Sequence, residues 1–233
     1  MASTLAVAGL VPLSSVDFPG ALSAVVFCQG CAWRCRYCHN TQLQSFARRP
    51  TQRWEEVLTF LAGRRGLLDG VVFSGGEPTL QAGLPEALQA VRRLGFRTAL
   101  HTAGMHPAAL RRVLPWLDWV AMDVKAPAAR YAGITGHLAS ASRAAASVRA
   151  ILASGVAHEF RTTVHASLLP PAALRTLAQE LAGLGARRLV VQTFRSIGCR
   201  DAELLAEDAG VGYGPTLWAE LAAMFDTFAL RPA

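Results

Sequence analysis

The chain has 233 residues and a formal net charge of +7, with 52% hydrophobic and 17% charged residues. This composition excludes intrinsic disorder and indicates one domain with a large buried core. Arg, Pro or Gly interrupts every apolar run before the roughly 18 residues that a membrane span requires, so we expect no membrane partner. The apolar opening segment lacks the basic start of a signal peptide, and we therefore expect a cytoplasmic protein.

The arginines are scattered as single residues and pairs, without a basic run or interleaved aromatic residues, so we expect no nucleic-acid partner. The chain contains one lysine, Lys125, and one asparagine, Asn40. A chain that uses arginine elsewhere and keeps a single lysine indicates a need for a compact ammonium group at that position.

Short β-branched runs alternate with amphipathic stretches along the chain. The predicted strands are Ser23–Cys28, Gly70–Ser74, Arg97–Thr102, Trp119–Asp123, Phe160–Val164 and Leu189–Thr193. The predicted helices are Trp54–Arg65, Leu84–Leu94, Pro107–Trp116, Ser140–Ala153, Pro171–Leu184 and Pro215–Phe228. Apolar strands between helices are typical of a parallel sheet covered by helices, barrel-like or doubly wound, with its chemistry at the carboxyl ends of the strands. We expect one domain, with an N-terminal extension (1–20), a core (21–200) and a C-terminal helix (201–233).

Four of the five cysteines lie within eleven residues, directly after the first predicted strand, at positions 28, 31, 35 and 38. Disulfides are not expected in a reduced cytosol, so this density indicates a metal or iron–sulfur site. Spacing alone leaves three possibilities open. They are a zinc knuckle to which His39 adds a nitrogen, a closed electron-transfer cluster with four thiolates, and a cluster with three thiolates and one open iron. The distant Cys199 is expected to be buried or incidental.

Two further motifs follow predicted strands. The Gly75–Gly76 pair allows a sharp turn and a close approach of the backbone to a ligand, with Glu77 beside it. Asp123 and Lys125 lie two positions apart, so their side chains point the same way if the strand extends to Lys125. A purely structural ion pair is the alternative interpretation of that second motif.

The C-x3-C-x2-C spacing of Cys31, Cys35 and Cys38, followed one strand later by GGEP, resembles the radical S-adenosylmethionine (SAM) enzymes. The segments DFPG, QGC, CHN, LLDGVVFSGGEPTLQ, MDVKAP and EFRTTV, in order over residues 8–200, are similar to the activating proteins of anaerobic ribonucleoside-triphosphate reductase. The resemblance implies a partial (β/α)6 barrel of parallel strands. It also implies a [4Fe-4S] cluster on those three cysteines, with SAM at the open iron and Cys28 as a bystander.

The implied reaction is reductive cleavage of SAM to a 5′-deoxyadenosyl radical, which generates a glycyl radical on a partner enzyme, the anaerobic ribonucleotide reductase. A flavodoxin- or ferredoxin-type protein would donate the electron. The alternatives are a radical enzyme that acts on a small molecule, such as a deazapurine-forming relative, and a zinc- or cluster-bearing binding module without catalysis.

The resemblance also implies residues that bind SAM. Gly75, Gly76 and Glu77 would hold its methionine end. Its carboxylate would meet Lys125, paired with Asp123, and Arg161 would bind the same carboxylate or the ribose. Further candidates are Tyr37, stacked on the adenine, together with Thr102 and Arg195. Because His101 stands where relatives carry a carboxylate, the monovalent-cation site of some relatives is not carried over to it.

Overall fold

The computed structural model describes residues 5–207, 209 and 212–232, which form an eight-stranded sheet with helices. The strands are β1 (Val7–Ser14), β2 (Ser23–Cys28), β3 (Gly70–Gly75), β4 (Arg97–Thr102), β5 (Trp119–Asp123), β6 (Ala157–Val164), β7 (Arg188–Thr193) and β8 (Thr227–Arg231). The helices are α1 (Trp54–Ala62), α2 (Leu84–Arg93), α3 (Pro107–Val113), α4 (Ala128–Thr135), α5 (Ser140–Ser154), α6 (Pro171–Gly183), α7 (Ala202–Ala206) and α8 (Pro215–Ala222). None of these helices is long and apolar enough to cross a membrane.

The strands are ordered in the sheet as they are in the chain. β1 pairs antiparallel with β2, and every later neighbouring pair is parallel. The carboxyl ends of β2 to β8 therefore lie along one edge of the sheet, which we call the upper edge. The six predicted strands are confirmed, as is the parallel α/β architecture.

The structure corrects the prediction at both ends of the chain. The expected N-terminal extension contains β1, which pairs with β2 over Val7–Ser14. The expected C-terminal helix is two short helices and a strand, because α8 ends at Ala222 and the run Thr227–Arg231 pairs with the free edge of β7. Residues 1–4, 208, 210–211 and 233 of these predicted segments lie outside the described residues.

Both faces of the sheet are buried, which explains why its strands read as nearly continuous apolar runs. The outer face packs under the helices through side chains such as Val26, Phe73 and Met122. The inner, concave face has a second apolar cluster that includes Val25 and Trp119. Because side chains alternate between the faces, Cys28 and Thr102 point outward under the helices, whereas Asp123 and Arg161 point inward.

The loop between β1 and β2 closes the lower end of the inner face. Phe18 of this loop stacks on Trp119 with 6.1 Å between ring centroids, and the Arg97 guanidinium lies 4.9 Å from the Phe18 ring. A Cβ on Gly70 would lie 2.9 Å from the same ring. The lower end of the inner face is thus filled with side chains.

Candidate functional site

The cysteine loop (residues 29–46) follows β2 at the upper edge. Cys31, Cys35 and Cys38 are partly exposed there, and the described cysteines are all free thiols. Cys28 instead ends β2 with its side chain fully buried in the outer core. Burial, reinforced by the Glu77 carboxylate, raises the pKa of the Cys28 thiol. The structure therefore separates Cys28 from the three loop cysteines.

The three loop thiols are a donor set that fits an iron–sulfur cluster, because several soft sulfur ligands lie on one short, partly open loop. Burial and then Glu77 raise the pKa of Cys31 to about 12. Burial also raises the pKa of Cys35, although the Lys125 ammonium opposes it. Cluster binding must therefore displace protons from these thiols. Among the described residues, no three His, Cys, Asp or Glu side chains are arranged to hold a single metal ion.

The end of β3 is the first anchor of the cysteine loop. Gly76 N donates to Cys28 O and Glu77 N to Gly30 O, each at 2.9 Å. Gly75 has a φ of +112°, and a Cβ there would overlap the Cys28 backbone, while a Cβ on Gly76 would overlap the Gly30 carbonyl. The sequence predicted that the two glycines let the backbone approach a ligand closely. In the structure they let it approach the backbone of the cysteine loop.

The Glu77 carboxylate is fully buried. It accepts hydrogen bonds from Thr79 N at 3.0 Å and Thr79 Oγ1 at 2.6 Å, and from Thr102 Oγ1 at 2.7 Å and Ala103 N at 2.8 Å. The Glu77 and Thr102 side chains are thus hydrogen-bonded to each other, and their contact with a ligand stays a prediction. The carboxylate ties the end of β3 to the end of β4.

Helix α4, which the sequence analysis missed, is the second anchor. Arg34 N donates to Thr135 O at 2.8 Å, and Arg36 N donates to Ile134 O at 3.1 Å, so the last turn of α4 binds the middle of the cysteine loop. The Tyr131 hydroxyl of this helix accepts a hydrogen bond from Lys125 N at 3.1 Å. One short helix thus connects the cysteine loop to the Asp-x-Lys motif.

Asp123 and Lys125 form an ion pair at the upper edge, although β5 ends at Asp123. Lys125 Nζ lies 2.9 Å from Asp123 Oδ2, with the lysine side chain 10% and the aspartate side chain 42% exposed. Burial alone would lower the pKa of Lys125, but Asp123 outweighs it, so the pKa lies well above its usual range. Burial likewise opposes ionisation of Asp123, and Lys125 lowers its pKa nonetheless. Both groups are therefore charged at neutral pH.

Tyr37 lies next to this pair and is only 4% exposed. The ring centroid lies 5.6 Å from Lys125 Nζ, which is a cation–π contact. The buried hydroxyl has no hydrogen-bond partner in the described structure. Lys125 thus contacts the Tyr37 ring in this structure, and the stacking of Tyr37 on an adenine stays a prediction.

Arg161 lies on the inner face of β6, in register with Asp123 of β5. Its Nε donates to Glu159 Oε1 at 2.5 Å, and Glu159 also accepts two hydrogen bonds from Arg231 at 2.7 and 3.0 Å. The Arg161 guanidinium is therefore part of an inner network that leaves only some of its N–H groups for a ligand. The structure places the other predicted arginine, Arg195, exposed beyond β7 without an ion-pair partner among the described residues.

His101 joins the inner network to the loop between β1 and β2. Its Nε2 donates to the Asp17 carbonyl at 2.8 Å, and Arg161 Nη1 lies 3.5 Å from its Nδ1. This arrangement requires the neutral imidazole with the proton on Nε2. Burial and the Arg161 charge lower the pKa of His101 to about 4, so the imidazole is neutral at physiological pH.

Comparison with known proteins agrees with this geometry. The sequence family described as the Radical SAM superfamily matches residues 25–190. A Methanocaldococcus jannaschii protein named "putative glycyl-radical enzyme activating enzyme" is 37% identical over 125 residues, which are 51% of this chain and 50% of that one. The pyruvate formate-lyase-activating enzyme of Clostridium pasteurianum is 38% identical over 115 residues, 47% of this chain and 48% of that one. The chain thus covers about half the length of these relatives.

A solved structure shows the same fold. Streptococcus suis SuiB bound to S-adenosylmethionine superposes with a TM-score of 0.64 at 11% sequence identity, and the match covers 88% of this chain and 48% of SuiB. At that identity the likeness concerns the arrangement of strands and helices alone.

Proposed function

The chain belongs to the radical SAM superfamily, whose members use a [4Fe-4S] cluster and SAM, and we propose that it is a glycyl-radical enzyme activating enzyme. The observation that carries the proposal is the upper edge itself, where three open thiols lie beside the Asp123–Lys125 ion pair. The names of the two relatives support the same activity.

Cys31, Cys35 and Cys38 would hold the cluster, and three thiolates leave one iron free for SAM. When bound, the reduced cluster supplies the electron that cleaves SAM to methionine and a 5′-deoxyadenosyl radical, which takes a hydrogen atom from a glycine of the partner. The chain itself binds, orients and shields these groups. Cys28 has no part in the proposed site, since its thiol faces the outer core.

The charged side chains at the upper edge suit the methionine end of SAM. We propose that Lys125 donates to its carboxylate and that Asp123 keeps the Lys125 ammonium in place. Arg161, at the level of Asp123 on the neighbouring strand, is the second cation for that carboxylate or for the ribose. Gly75 and Gly76 remain candidates through their partly exposed backbone. Arg195, being exposed beyond β7, remains a prediction.

Two glycyl-radical enzymes are candidate partners. The order and spacing of the motifs favour anaerobic ribonucleotide reductase, whereas the Clostridium pasteurianum relative is named for pyruvate formate-lyase. We propose the reductase as the partner. The partial exposure of Cys31, Cys35 and Cys38 at the upper edge supports a protein substrate, because a partner can reach this edge from outside.

We propose a flavodoxin- or ferredoxin-type electron donor and a cytoplasmic location, where free thiols persist. Support for the donor comes from exposed arginines on and near the cysteine loop that have no carboxylate partner in the described structure. They are Arg34, Arg48, Arg49, Arg195 and Arg200. Acidic redox proteins complement such a surface.

Anaerobic reconstitution with iron and sulfide, followed by electron paramagnetic resonance of the reduced protein, tests the cofactor assignment. We expect a reduced-cluster signal that changes when SAM is added, because one iron is open. A signal indifferent to SAM would indicate a closed cluster and would overturn the proposal. Protein that takes up one zinc and no cluster would favour the binding module.

Incubation of the reduced, SAM-loaded protein with each purified partner tests the substrate. We expect a glycyl-radical signal on anaerobic ribonucleotide reductase and none on pyruvate formate-lyase, with Cys35→Ser protein as the inactive control. A signal on pyruvate formate-lyase alone would reassign the partner. SAM cleavage that neither protein stimulates would overturn activation and favour a small-molecule substrate.

A further inference from the structure

A third anchor of the cysteine loop lies far along the chain, in the segment after β7 (residues 194–204), which we call the clasp. Its first part is irregular, and its last residues begin α7. Phe194 N donates to Val164 O at 3.1 Å, which ties the start of the clasp to the end of β6. At its other end, buried His165 Nε2 donates to Leu204 O at 3.1 Å. Both ends of the clasp are therefore attached at the end of β6, to its last residue, Val164, and to His165, which follows it.

An ion pair joins the clasp to the cysteine loop between two predicted ligands. Arg36, which lies between Cys35 and Cys38, donates from Nε to Asp201 Oδ2 at 2.6 Å and from Nη2 to Asp201 Oδ1 at 3.1 Å. Two parallel N–H···O hydrogen bonds of this kind fix the orientation of a guanidinium group relative to a carboxylate. A third bond runs from Nη2 to exposed Glu203 at 2.7 Å. The Asp201 side chain is only 17% exposed, and it also caps α7.

Contacts on the other side of Cys38 hold the same stretch of loop. The His39 ring lies 5.9 Å from the Phe194 ring, and its Nδ1 donates to Ile197 O at 3.3 Å. Gly198 has a φ of +84°, and a Cβ there would overlap the His39 carbonyl, so this glycine lets the two backbones touch. The Cys199 thiol donates to Arg36 O at 3.5 Å.

We infer that the clasp positions Cys38 as a cluster ligand, with Arg36 and Asp201 as positioning residues. The end of β3 anchors the base of the loop and α4 anchors its middle, but within the described structure only the clasp bonds to both neighbours of the Tyr37–Cys38 pair, Arg36 and His39. The inference rests on the proposed function, because it assumes that the three thiols hold a cluster. Substitution of residues that orient metal ligands without binding the metal themselves typically lowers metal affinity by about 10- to 100-fold.

Asp201→Asn and Arg36→Gln test the inference. Asparagine still caps a helix, so Asp201→Asn removes the charge and keeps α7. The matched control is Arg175→Gln, because Arg175 pairs with Glu220 away from the site and has a similar exposure, 40% against 34% for Arg36. The measurements are iron and sulfide content after reconstitution, the anaerobic rate of iron release to a chelator, and thermal unfolding of the cluster-free protein.

We expect both variants to release iron about tenfold faster than wild type, and the double variant to release it no faster than either single variant. The unfolding temperature of the cluster-free variants should change by no more than about 3 °C, as for Arg175→Gln. If both variants release iron at the wild-type rate, or if Arg175→Gln accelerates the release equally, the inference is overturned and the proposed function is not. Wild-type protein that binds no cluster would overturn the proposed function and this inference with it.

Discussion

At the scale of single residues, the buried Glu77 carboxylate holds the ends of two neighbouring strands together through hydrogen bonds. Glu77→Gln keeps the side-chain volume but turns a donor toward Ala103 N or the two threonines, so one buried N–H or O–H loses its partner. Because hydrogen bonds to a charged acceptor are strong and a buried unpaired donor is costly, we expect a loss of about 2–4 kcal/mol in the free energy of unfolding. Urea unfolding of the cluster-free protein measures it.

Glu86→Gln is the matched control, since Glu86 is exposed in the first turn of α2 and should change stability by no more than about 0.5 kcal/mol. Equal stability of Glu77→Gln and wild type would show that the carboxylate does not tie β3 to β4.

His101 predicts a pH dependence of stability. Its pKa falls from 6.5 to about 4 in the folded protein, so the fold disfavours the protonated ring beside Arg161, despite Asp17 and Asp123 nearby. This contribution is fully present above pH 6.5 and is lost as the pH falls toward 4. We expect about 2 kcal/mol less stability at pH 5 than at pH 7 from this group. The measurement compares unfolding of wild type and His101→Gln at the two pH values, because carboxylates distant from His101 contribute equally to both proteins. An identical pH dependence would contradict the assignment.

Cys28 and Cys35 should respond differently to the same substitution. Cys28→Ser buries a hydroxyl under the helices and should lower stability, by about 1–3 kcal/mol, while the cluster is kept. Cys35→Ser removes a partly exposed loop thiol and should abolish the cluster. Iron and sulfide analysis after reconstitution separates the two. Loss of the cluster in Cys28→Ser protein of native fold would make Cys28 a ligand.

At the scale of elements, the turn after β3 should tolerate no side chain at Gly76. A Cβ on Gly76 would overlap the Gly30 carbonyl, so Gly76→Ala must push β3 away from the cysteine loop. We expect a loss of about 1–3 kcal/mol in the free energy of unfolding and a lower cluster content. Gly133→Ala in α4 is the control, because nothing lies within 4 Å of its Cβ and alanine favours a helix. Equal behaviour of the two variants would contradict the packing argument.

The same scale shows what sequence patterns can and cannot predict. The central strands were predictable because both sheet faces are apolar, and the cysteine spacing marked the loop that carries the site. α4 was missed because it is short and its function depends on what its last turn touches. The hydrogen bond between Glu77 and Thr102 and the contact of Tyr37 with Lys125 could not be predicted, because a motif does not reveal which groups a side chain touches. Arg36 and Asp201 are 165 positions apart, and no local pattern connects them.

At the scale of the whole molecule, the positive charge is unevenly distributed along the chain. No Asp or Glu occurs between residues 18 and 54 or between 181 and 200, the stretches that contain the cysteine loop and most of the clasp. The exposed arginines of the cysteine loop and the clasp therefore favour a positive potential at the upper edge, which accelerates encounter with an acidic partner and is screened by salt.

Electron transfer from an acidic flavodoxin-type donor should accordingly slow about tenfold between roughly 50 and 500 mM salt. Stopped-flow oxidation of the reduced donor by the reconstituted protein measures the rate. Arg195→Gln combined with Arg200→Gln should reduce the rate at low salt and flatten its salt dependence, because both exposed arginines flank the cysteine loop. The matched pair Arg111→Gln and Arg112→Gln, exposed on α3, should leave both unchanged. A rate independent of salt in wild type would mean that charge does not guide the donor to this edge, and that shape and apolar contact alone determine the encounter.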